Sequence, residues 1–309
     1  MGYSVKELRK QFASRGVFYT DDKLAALLAD IVSANGDVVD VYDPTCGAGN
    51  LLAAFGDDIK KYGQEIDGVQ ADVARKRLTN AIIATGDTLT EPAFTDRKFR
   101  HIVANYPFSI KWEPFVDARW DDAPTLPPPS KADYAFILHI ISMLADDGVA
   151  VVLGFPGILY RGQREGKIRE WLIRQNLIES VTLIEGGYFE DTNIATALLV
   201  IRKNRTSTDI KFCDHESGKE AVATFADVQA NNFNLSPSGY IAPPVDERFA
   251  NYDVVEAELQ HRRNIIGIVD KALQMSQMHA DLHGSLSLAP YPSITDFAND
   301  IMNVVKKYL

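Results

Sequence analysis

Two short stretches carry residue types able to do chemistry on a bound ligand. The first, Asp43-Pro44-Thr45-Cys46-Gly47-Ala48-Gly49, follows an apolar run, Val38 to Tyr42. Two glycines around one alanine let the backbone turn sharply and approach a ligand, with a helix start near Asn50. Asp43 can pair with a ligand ammonium or cap the glycine turn, and the sequence leaves both open. The second, Ala104-Asn105-Tyr106-Pro107-Phe108, ends another apolar run. The Asn105 amide oxygen is an acceptor for an exocyclic amino group, and the Tyr106 carbonyl can take the second hydrogen. Two such acceptors turn the amine lone pair out of the ring plane, and Phe108 offers a face for a planar base. The pattern suits methyl transfer to an aromatic amine without a strong base. Alone, either stretch is equally a strand-ending turn. Their occurrence in one strand–helix series favours the ligand reading.

Three further acids are placed to help. Glu65 lies about twenty residues beyond the start of the glycine loop, an offset at which a carboxylate at the end of a second strand binds ribose hydroxyls. Asp67 competes for that role, and a capping or solvated acid is the bland alternative. Asp87, after a third strand, can accept from an adenine amino group, although Gly86-Asp87 is also a common turn.

The elements that must position these residues alternate. Leu24, Leu27, Leu28 and Ile31 predict a helix over 23–33, capped by Asp21 or Asp22 and ended at Asn35-Gly36. A short helix is expected at 5–12. Strands are expected at 38–42, around 64–67, and at 81–84, 99–104, 149–155, 178–184 and 195–202, with an edge strand at 210–213. Helices are expected between them at 51–62, 72–80, 132–144 and 167–175. This alternation argues an α/β fold with a mostly parallel sheet covered on both faces. Residues 109–131 form a long loop rich in proline and tryptophan, and a loop of that length inside a compact domain is usually functional. Tyr252, Val255, Leu259, Ile266, Val269 and Leu273 recur at helical spacing as a narrow seam, and a last helix is expected at 296–309. The seam fits either a partner-binding arm or a helix folded back on its own domain.

Composition narrows the classes. With 46% hydrophobic and 24% charged residues, the 309-residue chain reads as ordinary and globular, with room for one large domain and an appendage. No apolar run is long enough to span a bilayer, and the first residues lack a signal-peptide core. Cys46 and Cys213 lack metal-ligand spacing; His279 and His283 sit four apart, but Ala280 stands where a zinc-protease helix carries Glu and no third ligand is evident, so no metal is expected. A cytoplasmic location, with no membrane partner, is the expectation. The formal charge of −10 argues against an unaided grip on nucleic acid, which calls for basic patches.

At this point the chain resembles a family. The glycine loop and Asn105-Tyr106-Pro107-Phe108 look like the cofactor and catalytic motifs of S-adenosylmethionine-dependent amino-group DNA methyltransferases. They are most similar to those of the modification (M) subunit of type I restriction-modification systems. Gly16-Val17-Phe18-Tyr19-Thr20 resembles its G-x-F-Y-T segment, Gly63-Gln64-Glu65 its G-Q-E and Gly86-Asp87-Thr88-Leu89 its G-D-T-L. Ala132-Asp133-Tyr134-Ala135-Phe136 is similar to its A-D-Y/W-A-F helix start, and Leu159-Tyr160-Arg161-Gly162 to its L-F-R-G. Asn234 to Ile241 resembles its N-L-S-P-S-R-Y-V element, so the likeness spans roughly residues 12 to 241.

The resemblance implies a Rossmann-like methyltransferase fold with a mostly parallel seven-stranded sheet and a C-terminal helical extension. It implies a helical segment at 1–36, a catalytic domain at 37–230, and a linker with interface helices at 231–309. S-adenosylmethionine would be the cofactor. Phe18, Tyr19, Thr20, Asp43, Pro44, Gly47 and Gly49 would lie along its methionine and ribose, Glu65 on the ribose and Asp87 on its adenine. Asn105, Tyr106, Pro107 and Phe108 would hold an adenine flipped from double-stranded DNA, for N6 methylation in a specific sequence. A specificity (S) subunit would read the sequence, with a restriction (R) subunit and a second M copy as further partners. Rival readings are a methyltransferase for RNA or a protein glutamine, and a non-catalytic scaffold. The chain departs from the family in three places. Tyr106 stands where the second proline of N-P-P-F is usual, and Glu185-Gly186 where Leu-Pro is usual. A long helical domain usually precedes the G-x-F-Y-T segment, whereas this chain begins almost at it, so a short form or a helper chain is expected.

Overall fold

The structure is a computed structural model that describes residues 20–184 and 195–241. The expected helix at 5–12, Phe18 and Tyr19, Glu185-Gly186, the 252–273 seam and the last helix lie outside the described residues, as do His279 and His283.

Among the described residues, nine strands form one sheet: β1 Asp40–Asp43, β2 Lys60–Glu65, β3 Ala81–Thr85, β4 Phe99–Asn105, β5 Leu144–Gly154, β6 Ile178–Ile184, β7 Thr196–Arg202, β8 Ile210–Asp214 and β9 Glu220–Ala223. Their order is β3-β2-β1-β4-β5-β7-β6-β8-β9. Strands β3 to β5 of that order run parallel, so their carboxyl ends share one edge, and the order reverses between β1 and β4. A ligand crevice is expected outside that reversal. The expected seven-stranded, mostly parallel sheet needs correcting: β7 runs antiparallel to both β5 and β6, and β8 and β9 extend the sheet. The strand expected as the edge, β8, is covered by β9, whose four residues are too few to show a strand pattern.

Alternate residues of the central strands feed two cores. In β5, Ala150 and Val152 face one side, and Val149, Val151 and Leu153 the other. Such runs are apolar on both faces because both are covered. Helix α1, Asp22–Ser33, buries Leu24, Leu28 and Val32 on the second core; Asp21 caps it, accepting from the Lys23 N–H. The other face is covered by α4, Asp133–Met143, and α5, Gln163–Arg174.

The expected helix over 51–62 shrinks to one turn, α2 Asn50–Ala53, and β2 begins at Lys60, earlier than expected. Gly56, Asp57 and Asp58 break the helix. Lys61, which reads as surface helix, is buried in the strand with Nζ donating to the Gly56 and Ile59 carbonyls. The next helix, α3 Gly68–Arg77, also starts early, because Asp67 caps it by accepting from the Val69 and Gln70 N–H groups.

Candidate active site

At the crevice, β1 delivers Asp43 and the chain enters the glycine loop. Gly47 and Gly49 have φ of +52° and +84°, a region that disfavours side chains. A Cβ on Gly47 would meet no protein atom within 4 Å, whereas one on Gly49 would sit 2.7 Å from Leu78 Cδ1. Gly47 therefore leaves space open beside the cleft, which it lines. Gly49 does not line the cleft; it lets α2 begin against Leu78.

The cleft is bounded by Asp43, Pro44 and Gly47 of this loop, Glu65 at the end of β2, Thr20, and Asn105 and Pro107 at the end of β4. Strands 20 to 60 residues apart in sequence thus bring the sequence-predicted groups to one place. Asp87 is not among the lining residues, although its neighbours Gly86 and Thr88 are. Its Oδ1 accepts from the Leu89 N–H at 2.8 Å, which is the turn role. Between Glu65 and Asp67, the cleft takes Glu65, since Asp67 is the cap of α3.

Each part of Gly63-Gln64-Glu65 has its own task. A Cβ on Gly63 would lie 2.8 Å from both Cys46 Sγ and Ile83 Cδ1, so only glycine lets the loop pack on β2. Gln64 is buried and clamps the loop after β3, donating to the Glu91 carbonyl and accepting from the Ala93 N–H. Glu65 Oε2 accepts from the Gly47 N–H and Oε1 from the Asp67 N–H, both at 2.9 Å.

Asp43 is 1% exposed. Burial pushes its carboxyl up to about 7; the Thr45 N–H, donating to Oδ1 at 2.9 Å, pulls the other way, and Glu65 adds to the rise. Burial likewise pushes the Cys46 thiol up, so it packs as an inert side chain.

The second motif is set by Thr20. The Asn105 amide donates through Nδ2 to Thr20 Oγ1 at 3.0 Å, and Asn105 Oδ1, buried, has no hydrogen-bond partner among the described residues. Thr20 is fixed in turn, its carbonyl accepting from Asn50 Nδ2 at 3.1 Å while Arg77 donates to Asn50 Oδ1. The start of α2, the end of α3 and the end of β4 are thereby joined at the cleft.

Tyr106 is wholly buried. Its ring stacks on Phe136 at 5.2 Å and 10°, meets Phe108 edge-on at 5.8 Å, and places its hydroxyl 2.9 Å from where a Cβ of Gly154 would be. Glycine on β5 makes room for the ring. Phe108 is half-buried beside the cleft and touches both cores.

Other groups escape sequence reasoning. Thr45, Gln70, Ile66 and Phe136 line the cleft. Ile66 is 67% exposed, a large apolar side chain left in the open beside a cleft carboxylate. Arg119, in the middle of the long loop, donates to the Thr88 and Leu89 carbonyls and to both oxygens of Asp117. It also donates to His139 Nδ1 at 3.1 Å. Arginine has no acceptor, so His139 carries its proton on Nε2 and gives it to the Tyr42 hydroxyl. Burial, with Arg119 alongside, holds His139 down to about 3 and keeps it neutral. The long loop is therefore the brace of the Thr88 side of the cleft.

The profile of the N-6 DNA Methylase family matches residues 3–223. The chain belongs to the N-6 DNA methylase family. It is 36% identical over 226 residues to the type I restriction enzyme MpnII methylase subunit of Mycoplasma pneumoniae, which covers 63% of this chain and 42% of that protein. It is 29% identical over 214 residues to the MjaIX methylase subunit of Methanocaldococcus jannaschii, covering 62% of this chain and 38% of that one. The solved type I restriction-modification methyltransferase subunit of Streptococcus thermophilus superposes with a TM-score of 0.69 at 27% identity, over 77% of this chain and 62% of that one. This member of the family spans about two fifths of the length of these curated relatives. Among the described residues, no helix of the chain is long and apolar enough to cross a membrane, and no cluster of His, Cys, Asp and Glu is arranged to hold a metal.

Proposed function

We propose that this chain is the catalytic core of an adenine-N6 DNA methyltransferase that works as a type I modification subunit, using S-adenosylmethionine. The observation that carries the reading is the Asn105 carbonyl oxygen. It is buried at the edge of a cleft that holds two carboxylates, and it lacks a partner among the described residues. A buried unpaired acceptor costs about 1–3 kcal/mol, and a ligand N–H would remove that cost.

The cleft fits the cofactor. Asp43 suits its positive charge and Glu65 its ribose hydroxyls, while Ile66 and Phe136 offer apolar walls. Thr45 Oγ1 is a further buried group without a described partner. Gly47 keeps side-chain bulk out of the space, with Thr20 and Pro44 alongside, and the family resemblance would add Phe18 and Tyr19, which lie outside the described residues. When bound, the cofactor supplies an electrophilic methyl group. The chain's own residues hold the acceptor amine: Asn105 Oδ1 and the Tyr106 carbonyl take its two hydrogens, Pro107 stiffens the turn, and Phe108 stacks on the base. The base must leave the duplex for its amino group to reach these acceptors.

Sequence reading belongs to a separate specificity subunit on this account, with a restriction subunit and a second copy in the larger assembly. The charge of −10 supports this, as do the names of the relatives. Labelled-methyl transfer should be measured on DNA, RNA and protein, alone and with a specificity subunit. The expected product is N6-methyladenine in DNA, formed at a defined sequence only with the partner. Label appearing in RNA or protein instead, or in no fraction despite cofactor binding, would overturn the proposal. Phe108→Ala should lose affinity for DNA by roughly tenfold or more while Phe108→Trp retains much of it, since base stacking contributes about 1–3 kcal/mol.

A further inference from the structure

The residue after Phe108 is held in a conformation that its type disfavours. Ser109 has φ of +54°, in the left-handed region where any residue but glycine is strained. Three contacts hold it there. Its N–H donates to Asp133 Oδ2 at 3.0 Å. Its Oγ accepts from Arg161 Nη2 at 3.3 Å. The next carbonyl, of Ile110, accepts from the Ala132 N–H at 2.8 Å.

The holders are themselves buried and fixed. Asp133, wholly buried, is the first residue of α4. Arg161, just before α5, pairs with Glu165 at 3.4 Å, and Glu165 is 6% exposed. Buried charges cost stability unless fully paired, and Asp133 Oδ1 has no partner among the described residues. A device that gains little stability calls for another use. Asp133 and Arg161 do not line the cleft, so the cofactor does not account for them. They belong to the Ala132–Phe136 and Leu159–Gly162 stretches that the sequence singled out without assigning a role.

We infer that Asp133 and Arg161 are positioning residues for the target base: they clamp Ser109 in its left-handed conformation and so fix the direction of the chain at Phe108. The inference rests on the reading of Phe108 as the platform for the base. Released, Ser109 relaxes to a right-handed or extended conformation and carries Phe108 away from the Asn105 acceptor.

Three variants test this: Asp133→Ala, Asp133→Asn, and Asp133→Ala combined with Ser109→Gly. For each, amide hydrogen exchange over residues 108–112, cofactor affinity and methyl-transfer rate are measured. Asp133→Ala should speed exchange at Ser109 and slow transfer by about tenfold to a hundredfold, with cofactor affinity within about twofold of wild type. Asp133→Asn keeps an acceptor oxygen and should keep most of the protection and rate. Ser109→Gly makes the left-handed conformation free of strain, so it should recover much of the rate in Asp133→Ala without recovering the protection. Unchanged exchange in Asp133→Ala removes the clamp, and a rate loss that glycine leaves untouched removes its positioning role. Should Asp133→Ala fail to fold, Arg161→Gln with and without Ser109→Gly carries the same test, the absence of glycine rescue again overturning it. If the wild type transfers no methyl group to DNA, the proposed function falls while the exchange measurements still decide the clamp.

Discussion

The side-chain amide of Asn105 donates to the hydroxyl of Thr20, 85 residues earlier in the chain, at 3.0 Å. The contact engages the Nδ2 end of the amide. With Nδ2 engaged, Oδ1 is the end without a described partner. Thr20→Val keeps the shape and removes the acceptor for Nδ2, so the amide loses its fixed orientation. The rate of methyl transfer should fall by about tenfold or more through lost alignment of the acceptor, while the orphaned buried donor should cost about 1–3 kcal/mol of stability. Thr20→Ser retains the hydroxyl and should stay within severalfold of wild type. Single-turnover rates on DNA at saturating cofactor check this, and equal rates for the valine and serine variants would contradict it.

The two motifs should separate by what each variant loses. A side chain on Gly47 enters the open space beside the cleft and is strained by the φ of +52°. Gly47→Val should therefore weaken cofactor binding by at least about a hundredfold, or roughly 2.7 kcal/mol. Asn105→Ala leaves the loop and both carboxylates in place, so it should bind cofactor nearly as wild type and lose transfer. Calorimetric titration of both proteins distinguishes the roles; comparable loss of affinity in the two would show that the division is wrong.

How much of this was legible before the structure depends on how local the cause is. Asp43, Glu65 and Asn105 sit at strand ends, with Gly47 in the loop that leaves the first, and strand ends in a parallel sheet share an edge, so periodicity plus position brought them together. Lys61 misled, because a buried lysine satisfied by two carbonyls reads from sequence as surface helix. Gly49 and Asp87 have motif positions that suggest a ligand; the structure adds a packing task for Gly49 that sequence does not show, and for Asp87 the turn contact that the sequence leaves open beside the ligand role. Arg119 and His139 were beyond reach. Their partners come from residues 88–89 and from Tyr42, and only the folded path of the long loop brings them near.

Asp43 makes the site sensitive to pH. Its carboxyl titrates at about 7 in the fold, against an ordinary value near 4 in the unfolded chain. Between those limits the folded state holds a proton that the unfolded state lacks, so this group lowers stability as pH rises from about 4 to about 7. Asp43→Asn removes that slope, and its advantage in melting temperature over wild type should grow across the same window. A positive ligand beside the carboxylate favours the ionised form. Cofactor affinity of the wild type should therefore rise with pH through about 7, with a proton released on binding, and that dependence should vanish in Asp43→Asn. Titrations in two buffers of different ionisation enthalpy read the released proton directly.

Tyr106 and Gly154 should behave as a coupled pair. The ring fills a slot between Phe136 and the glycine of β5, and a methyl at Gly154 would approach the Tyr106 hydroxyl to 2.9 Å and Ile158 Cδ1 to 2.6 Å. Gly154→Ala should cost roughly 1–3 kcal/mol of stability, as overpacking of a core does. The Tyr106 hydroxyl is buried with no partner among the described residues, so Tyr106→Phe should be neutral or stabilising by about 1 kcal/mol. Placing Tyr106→Phe in the Gly154→Ala protein should recover part of the loss, because one of the two clashing atoms is gone while Ile158 Cδ1 remains. Tyr106→Pro would restore the usual family motif yet empty the slot, and should cost about 3–5 kcal/mol through the cavity it leaves. Denaturant unfolding of the two single variants and the double variant closes the cycle. Strict additivity would mean that the two residues do not share the slot, and a stable Tyr106→Pro protein would mean that the slot closes by itself.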